Sequence, residues 1–309
     1  MGVSAQRRRP AELPVAPPLT RAPVAVLRAR QAPVWKCAIQ SLRVPQWVHF
    51  LLLPAATLDA GAVRDPAGAA LGLGRNMLVV GCALAWAYGI NSVADRRMDL
   101  DARKNPLAGF DRASRAALAL SCLALAAAVL VAAMGGRIGL AMVALSLVSA
   151  ALYSVGPRLK ALPLVGTLMN VPIFVPLLGV GAREQLPAAF PALAVALTAL
   201  LLQNQLLHEC ADVEEDARGG VATTARRLGE RRVGQVIIAL GLVGGALAAA
   251  LARSTALRVV LLAAIPVVIL TAFPASVPAA ARRRRHRFAS LAAGGVIMAT
   301  SLLFVPAAP

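Results

Sequence analysis

The stretch that decides the fold, residues 74–95, reads GRNMLVVGCALAWAYGINSVAD. Most of it is an apolar run that is long enough to cross a bilayer core of roughly 30 Å as a helix, because a helix rises about 1.5 Å per residue. Lipid offers no hydrogen-bond partners to an open backbone, so such a run must be helical. The stretch ends with an amide, Asn91, and a carboxylate, Asp95. It therefore predicts a membrane helix whose last turn carries polar, chemically active groups.

Apolar runs of similar length recur along the chain. Hydrophobic residues make up 59% of the 309 positions, against roughly 45–50% in soluble domains. The fold class is therefore predicted as all-α, a single polytopic membrane domain over residues 37–309. Its nine predicted transmembrane helices are 44–62, 74–95, 114–134, 138–156, 161–182, 187–208, 232–252, 256–274 and 289–307.

Residues 1–36 have a different composition from the rest of the chain. They contain many Pro, Ala and Arg residues and no continuous apolar run, whereas a secretory signal needs about 7–15 consecutive apolar residues. We therefore expect this segment to be a disordered cytoplasmic tail.

The basic residues indicate the orientation in the membrane. Of the 32 Lys and Arg residues, 26 lie in the N-terminal tail and in alternate gaps between the predicted helices. The positive-inside rule then places the N-terminus and those gaps in the cytoplasm. Because the net charge of +18 is concentrated in these gaps, no nucleic-acid partner is expected. The richness in Ala, Arg and Gly is typical of a GC-rich bacterial genome, so a bacterial plasma membrane is the expected location.

One of the cytoplasmic gaps contains the basic run Arg282–Arg285. Such a cluster beside a membrane helix favours contact with anionic lipid headgroups. Binding of a phosphate group is the alternative interpretation.

Two acidic motifs stand at the cytoplasmic ends of the second and sixth predicted helices. The first consists of Asn91, Asp95 and Asp99, which are spaced i, i+4 and i+8. Each step of four residues turns a helix by about 400°, so the three side chains project from one face. The second motif consists of Glu209, Asp212 and Asp216, spaced i, i+3 and i+7, which again share one face.

The side chains of these two motifs are oxygen donors, and hard divalent cations prefer such ligands. Mg²⁺ is commonly held by carboxylates together with substrate phosphates, and clustered carboxylates repel one another without a cation. The motifs therefore predict a magnesium site between the two helix ends. The alternative is that the acids are solvated loop charges that balance nearby arginines. Basic residues on the same side that could bind phosphate oxygens include Arg103, Lys104, Arg158 and Lys160.

The two motifs together resemble those of the UbiA superfamily of intramembrane prenyltransferases. Asn91, Asp95 and Asp99 match its Asn-x3-Asp-x3-Asp signature, and Asp212 and Asp216 match the last two residues of its Asp-x2-Asp-x3-Asp signature. Glu209 replaces the first Asp of the second signature. The resemblance covers about residues 40–307 and implies a fold of nine transmembrane helices.

Shorter elements outside the acidic motifs also resemble this family. Tyr153-Ser154 followed by Lys160 is similar to a Tyr-Ser…Lys element after the fourth helix. Arg43 with Gln46-Trp47 is similar to the Arg-Pro-x-Gln-Trp opening of several members.

The resemblance implies a Mg²⁺-dependent transfer of a prenyl group from an isoprenoid diphosphate to a lipophilic acceptor within the membrane. An electron-rich aromatic ring is the commonest acceptor in the family. The residues expected to be catalytic are Asp95, Asp212, His208 and Tyr153. The expected metal ligands are Asn91, Asp95, Asp99, Glu209, Asp212 and Asp216. The residues expected to bind the diphosphate are Arg43, Arg103, Lys104, Arg158 and Lys160.

Polar residues inside predicted membrane helices are candidates for the acceptor site, because such positions are functional by default. They are His49, Asn170, Gln203 and Asn204, with His208 as a general base or acceptor-orienting group. Two other functions stay open. A terpene cyclase of the same fold would capture the allylic cation with its own double bonds. A transporter would place its acids near the middle of the membrane rather than at one edge.

Overall fold

The computed structural model describes residues 33–58, 65–99, 105–218, 221–272 and 277–303. The described chain from Val34 onward belongs to one compact unit, Val34–Pro309. Residues 1–32 of the predicted tail lie outside the described residues, so the structure of that segment stays a prediction.

The described part of the chain consists of helices joined by turns and irregular connections, and it contains no β-strand. Three segments are 3₁₀-helices, namely Val48–Thr57, Leu159–Ala161 and Val175–Gly179. The α-helices are α1 (Val34–Ser41), α2 (Val44–Trp47), α3 (Pro66–Asp95), α4 (Asp111–Ala133), α5 (Arg137–Ser154), α6 (Val165–Leu168), α7 (Asn170–Phe174), α8 (Phe190–Ala211), α9 (Val213–Arg218), α10 (Thr224–Leu228), α11 (Glu230–Leu251), α12 (Thr255–Thr271) and α13 (Ala279–Leu303).

Five of these helices, α3, α4, α5, α8 and α11, are long and apolar enough to cross a membrane. Two shorter apolar segments, Val165–Gly179 and Thr255–Thr271, accompany them. The protein is therefore an integral membrane protein, and the predicted all-α fold class is confirmed. The number of nine membrane crossings stays a prediction.

Two predicted membrane helices are broken into short pieces. The first, predicted at 44–62, consists of α2 and the 3₁₀-helix Val48–Thr57, which contains Pro54. The fifth, predicted at 161–182, consists of α6, α7 and the 3₁₀-helix Val175–Gly179, and it contains Pro172 and Pro176. Proline lacks the backbone N–H of a regular helix and its ring clashes with the preceding turn. A purely hydropathic criterion overlooks this effect.

The helices pack in two groups that share one core. Helix α3 contacts α4 and α5, while α8 contacts α11 and α13, with α12 between those two. The 3₁₀-helix Val175–Gly179 lies against both α5 and α8 and joins the groups. The chain just after this 3₁₀-helix lies against Gly139 of α5. A Cβ atom at position 139 would be only 2.2 Å from the Val180 carbonyl oxygen, so this contact requires glycine. Buried side chains from both groups, such as Leu84 and Leu261, form one apolar cluster.

Candidate active site

A large cavity of about 1150 Å³ lies between the two helix groups. One part of its wall is polar and includes four members of the acidic motifs, namely Asn91, Asp99, Asp212 and Asp216. Another part is apolar, with side chains such as Leu197 of α8 and Met298 of α13. The structure thus brings residues of both motifs to the same cavity and joins them to an apolar chamber.

The first motif lies at the end of α3. Asn91 and Asp95 lie in the last turn of the helix, and Asp99 lies one turn beyond it. The Asp99 amide still donates to the Asp95 carbonyl oxygen at 2.9 Å, so the helical spacing continues. Ser154 of α5 donates to the Asn91 side-chain oxygen at 3.1 Å. The predicted common face of Asn91, Asp95 and Asp99 thus extends past the regular helix.

Asp95 is held by two cations from the segment that follows α5. The Lys160 ammonium donates to both Asp95 carboxylate oxygens, at 2.6 and 2.5 Å, and to the Asn91 oxygen at 2.7 Å. The Arg158 guanidinium donates to Asp95 at 3.0 Å. Burial lowers the pKa of Lys160, and the neighbouring Asp95 carboxylate acts in the opposite direction. This cluster balances the charge of a carboxylate that is only 7% exposed.

Two of the basic residues adopt a left-handed backbone. The φ angles of Arg43 and Arg158 are 51° and 48°, in a region that non-glycine residues rarely occupy. Such conformations cost about 1–3 kcal/mol each and persist where the surroundings impose them. The guanidinium of Arg158 reaches Asp95 from this strained backbone. Arg43 lines the cavity, and its Nη2 atom lies 4.0 Å from the Asp99 carboxylate.

The second motif spans the break between α8 and α9. Asp212 caps the end of α8, and Asp216 lies in α9, so the motif does not form one uninterrupted helix. His208, one turn before Asp212, has Nδ1 at 3.0 Å from the Asp212 carboxylate. His208, Asp212 and Asp216 all line the cavity. Their arrangement places an imidazole directly beside the acidic groups.

Glu209 has a different environment from the other acids. Its side chain is only 7% exposed and its carboxylate accepts hydrogen bonds from the Thr167 hydroxyl at 2.6 Å and from the Ala225 amide at 3.0 Å. Gln205 donates to it at 3.3 Å. Glu209 is also not among the residues that line the cavity. Its role as a metal ligand stays a prediction, and its position also fits a link between α6, α8 and α10.

Three of the predicted acceptor residues lie on the same cavity wall. His49, Asn170 and Asn204 all line it. The His49 ring packs on Phe50 with a centroid distance of 4.2 Å. The Asn170 amide donates to the Thr167 carbonyl oxygen at 3.2 Å. The buried side-chain oxygen of Asn204 has no hydrogen-bond partner among the described residues.

Of the other predicted site residues, Tyr153 lines the cavity. The Lys160 ammonium lies over the Tyr153 ring, 5.9 Å from the ring centroid. Arg103 and Lys104 lie outside the described residues. Two further cations on this cavity, Arg283 and Arg287 of α13, were not among the predicted site residues, although the phosphate-binding alternative for the run Arg282–Arg285 includes Arg283. Their spacing of four residues places them on one helix face, and that spacing was the available signal.

The donor chemistry of the cavity fits Mg²⁺. Within the described ranges, no three His, Cys, Asp or Glu side chains form a group that could hold a metal ion. The amide oxygen of Asn91 and the carboxylates of Asp99, Asp212 and Asp216 are nevertheless all hard donors on one cavity. Mg²⁺ is usually bound through one or two carboxylates plus substrate phosphates, rather than by a complete protein cage.

Comparison with known proteins agrees with this picture of an intramembrane helical protein with an acidic cavity. The model of the UbiA prenyltransferase family matches residues 48–303. The chain belongs to the UbiA prenyltransferase family, as the resemblance of its motifs predicted. Comparison with curated proteins gives no match.

Solved structures share the fold at low sequence identity. A UbiA homologue from Archaeoglobus fulgidus bound to GPP and Mg²⁺ is 18% identical with a TM-score of 0.61, over 85% of this chain and 99% of that one. A UbiA homologue from Aeropyrum pernix K1 in the apo state is 18% identical with a TM-score of 0.61, over 82% and 97%. A structure of digeranylgeranylglyceryl phosphate synthase is 11% identical with a TM-score of 0.65, over 89% and 99%.

Proposed function

We propose that this protein catalyses the Mg²⁺-dependent transfer of a prenyl group from an isoprenoid diphosphate to a lipophilic acceptor within the membrane. The observation that carries the proposal is a single cavity that joins oxygen donors from both acidic motifs to an apolar chamber. An isoprenoid diphosphate has the matching chemistry, with a charged diphosphate at one end and a hydrocarbon tail at the other. Family membership supports the same reaction class.

The acidic motifs would hold the magnesium ions. The residues assigned to this role are Asn91, Asp95, Asp99, Asp212 and Asp216. When bound, Mg²⁺ supplies positive charge that neutralises the diphosphate and makes it a better leaving group. A UbiA homologue solved with both GPP and Mg²⁺ supports this choice of metal. Glu209 is left out of the set because neutral donors from α6 and α10 hold its carboxylate, whereas the partners of Asp95 are cations, whose charge Mg²⁺ can replace.

The basic and hydroxyl side chains would act on the diphosphate itself. As the allylic C–O bond breaks, its electron pair stays on the diphosphate, and negative charge grows on the phosphoryl oxygens. Donors fixed in advance at that position stabilise the charge with little reorganisation. Arg43 and Tyr153 line the cavity and suit this role, with Arg158 and Lys160 directly behind Asp95.

The acceptor would bind near His49, Asn170 and Asn204, where polar groups interrupt an otherwise apolar wall. Its nucleophilic atom forms a bond to the allylic carbon and then loses a proton. His208 is the assigned proton acceptor, because its ring lies on the cavity, with Nδ1 at 3.0 Å from the Asp212 carboxylate. The apolar walls keep water away from the cation. An aromatic acceptor is the form we propose, with the site facing the cytoplasm.

The polar groups on the acceptor side favour transfer over cyclisation, since a cyclase has no acceptor to orient. Diphosphate release from purified protein in detergent tests this point. Geranyl, farnesyl and geranylgeranyl diphosphates are supplied with Mg²⁺ or EDTA, with and without a panel of aromatic acceptors. We expect release that requires both Mg²⁺ and an acceptor. Acceptor-independent release with a cyclised hydrocarbon product would instead make the protein a cyclase, and absence of release with every donor and acceptor would contradict the proposal.

A further inference from the structure

The basic run at the start of α13 divides into three faces of the helix. Residues 282–287 read RRRRHR, a sequence that hydropathy treats as one charged block. Side chains four residues apart lie on the same face of a helix, and the burial pattern follows this rule: positions 282 and 286 are buried, 283 and 287 are half-buried, and 284 and 285 are exposed. The run therefore contains three different environments.

The buried face fixes the rotation of the helix. Arg282 forms an ion pair with Glu230 of α11. His286 is fully buried, with Nε2 at 3.2 Å from the side-chain oxygen of Gln203 in α8. Gln203 in turn donates to the Ile237 carbonyl oxygen at 2.8 Å. These contacts hold α13 against two neighbouring helices, so the direction of the next face is also set.

The second face points into the cavity of the candidate active site. Arg283 and Arg287 both line it together with Asp212 and Asp99. Asp212 acts electrostatically on Arg283. Arg287 donates through Nη2 to the Gln46 carbonyl oxygen at 3.1 Å. A guanidinium carries five N–H donors, so this hydrogen bond leaves others that can bind an anion.

The third face is separate from the cavity. Arg284 and Arg285 are exposed and line a shallow hollow with Leu270 and Phe288. Exposed arginines beside apolar side chains, next to the predicted membrane helix 289–307, suit lipid headgroups. The lipid-binding prediction for Arg282–Arg285 thus fits the surroundings of this face and not those of the other two.

The cations on the cavity wall differ from those of the Asp95 cluster. Arg158 and Lys160 donate to Asp95 and are not among the cavity-lining residues. Among the described residues, the arginines that line the cavity are Arg43, Arg283 and Arg287. Arginine matches phosphate oxygens with paired N–H donors better than lysine does. Two of the three arginines come from one helix face whose rotation is fixed by buried contacts.

We propose that Arg283 and Arg287 bind the phosphoryl oxygens of the isoprenoid diphosphate. They form a cationic wall contributed by α13, separate from the segment that carries Arg158 and Lys160. The inference rests on the proposed function and adds a specific helix face to it. It also assigns Arg284 and Arg285 no part in substrate binding.

The test compares the two faces of the same helix. Arg283→Gln and Arg287→Gln are measured beside Arg284→Gln and Arg285→Gln, which remove the same charge a few residues away. Binding of inorganic pyrophosphate with Mg²⁺ is followed by isothermal titration, and KM is measured for geranyl diphosphate and for the acceptor. We expect each cavity-face variant to weaken pyrophosphate binding about tenfold, with the exposed-face variants within about twofold of wild type. If a glutamine variant does not fold, lysine variants at 283 and 287 keep the charge and test the paired N–H donors of arginine; we expect them also to weaken pyrophosphate binding, and unchanged affinity would count against the inference.

Equal pyrophosphate affinity for both pairs of variants would overturn the inference. Unchanged pyrophosphate affinity with a raised KM for an acidic acceptor would also overturn it, and would assign the two arginines to the acceptor. These outcomes differ from failure of the proposed function itself, in which wild-type protein neither binds pyrophosphate nor releases diphosphate.

Discussion

In the first acidic motif, Asp95 is neutralised by Lys160 and Arg158 beside the cavity, whereas in the second motif Glu209 is buried behind it and bound by neutral donors. The remaining acids, Asp99, Asp212 and Asp216, line the cavity directly. Matching sequence patterns at two helix ends thus contain carboxylates in three environments. The comparison teaches that membership of a motif does not define the role of a residue, because the surrounding donors decide it.

The largest expected effect concerns the acids assigned to the metal. Asp212→Asn and Asp95→Asn should each reduce diphosphate release by about 10²–10³-fold or more, because charge stabilisation of the leaving group is lost. Asp111→Asn is the control, since that exposed carboxylate lies away from the cavity. Retained activity in both acid variants with Mg²⁺ present would contradict the metal assignment.

Removing the positive charge beside Asp95 should strongly destabilise the protein. Lys160→Met leaves a buried carboxylate with Arg158 as its remaining cation among the described residues. Breaking a buried ion pair typically costs about 3–5 kcal/mol. Thermal unfolding in detergent should therefore begin at a clearly lower temperature, and Mg²⁺ should restore more stability to this variant than to wild type. Lys36→Met, at an exposed position of α1, is the control. If Mg²⁺ stabilised Lys160→Met and wild type equally, Lys160 would not be coupled to the metal site.

Glu209→Gln should affect folding more than metal use. The amide replaces an acceptor that satisfies the Ala225 N–H and the Thr167 hydroxyl, and an unsatisfied buried group costs about 1–3 kcal/mol. A protein of this size loses about 2–4 °C of unfolding temperature per kcal/mol. The Mg²⁺ concentration that gives half-maximal diphosphate release should stay near that of wild type. Glu184→Gln, on the exposed surface, serves as the reference. A large rise in the required Mg²⁺ would show that Glu209 is a metal ligand after all.

The smallest expected effect is that of Thr167→Val, which keeps the shape and removes the hydroxyl. Thr167 donates to Glu209 and also contacts the Thr224 hydroxyl at 2.7 Å. The loss should be about 1 kcal/mol, and the double variant with Glu209→Gln should lose less than the two single losses combined. Fully additive losses in the double-mutant cycle would mean that the two residues do not act as one unit.

Much of the fold and site was accessible from sequence. Apolar length predicted the long helices, and spacing predicted that Asn91 and Asp99 would meet Asp212 and Asp216 on one cavity. The broken segments around Pro54 and Pro176 were not predicted, because hydropathy measures how apolar a segment is and not whether its backbone can form regular helical hydrogen bonds. The spacing of the second acidic motif also could not show that α8 ends at Ala211, so that the motif is divided between two helices.

The remaining differences concern neighbours that are distant in sequence. The environment of Glu209 depends on Thr167 and Ala225, which the fold brings to it from other helices. The cavity face of α13 depends on how His286 packs against Gln203. Helical spacing gives the relative directions of side chains on one element, and only tertiary packing shows which direction leads to the cavity.

The most direct test of the central claim is binding of inorganic pyrophosphate with Mg²⁺ to wild type, Asp95→Asn, Asp212→Asn and Glu209→Gln, measured by isothermal titration in detergent. We expect both aspartate variants to bind at least about tenfold more weakly, and Glu209→Gln to stay within about twofold of wild type. An Asp212→Asn variant that binds as tightly as wild type, or a Glu209→Gln variant that binds as weakly as the aspartate variants, would contradict this claim.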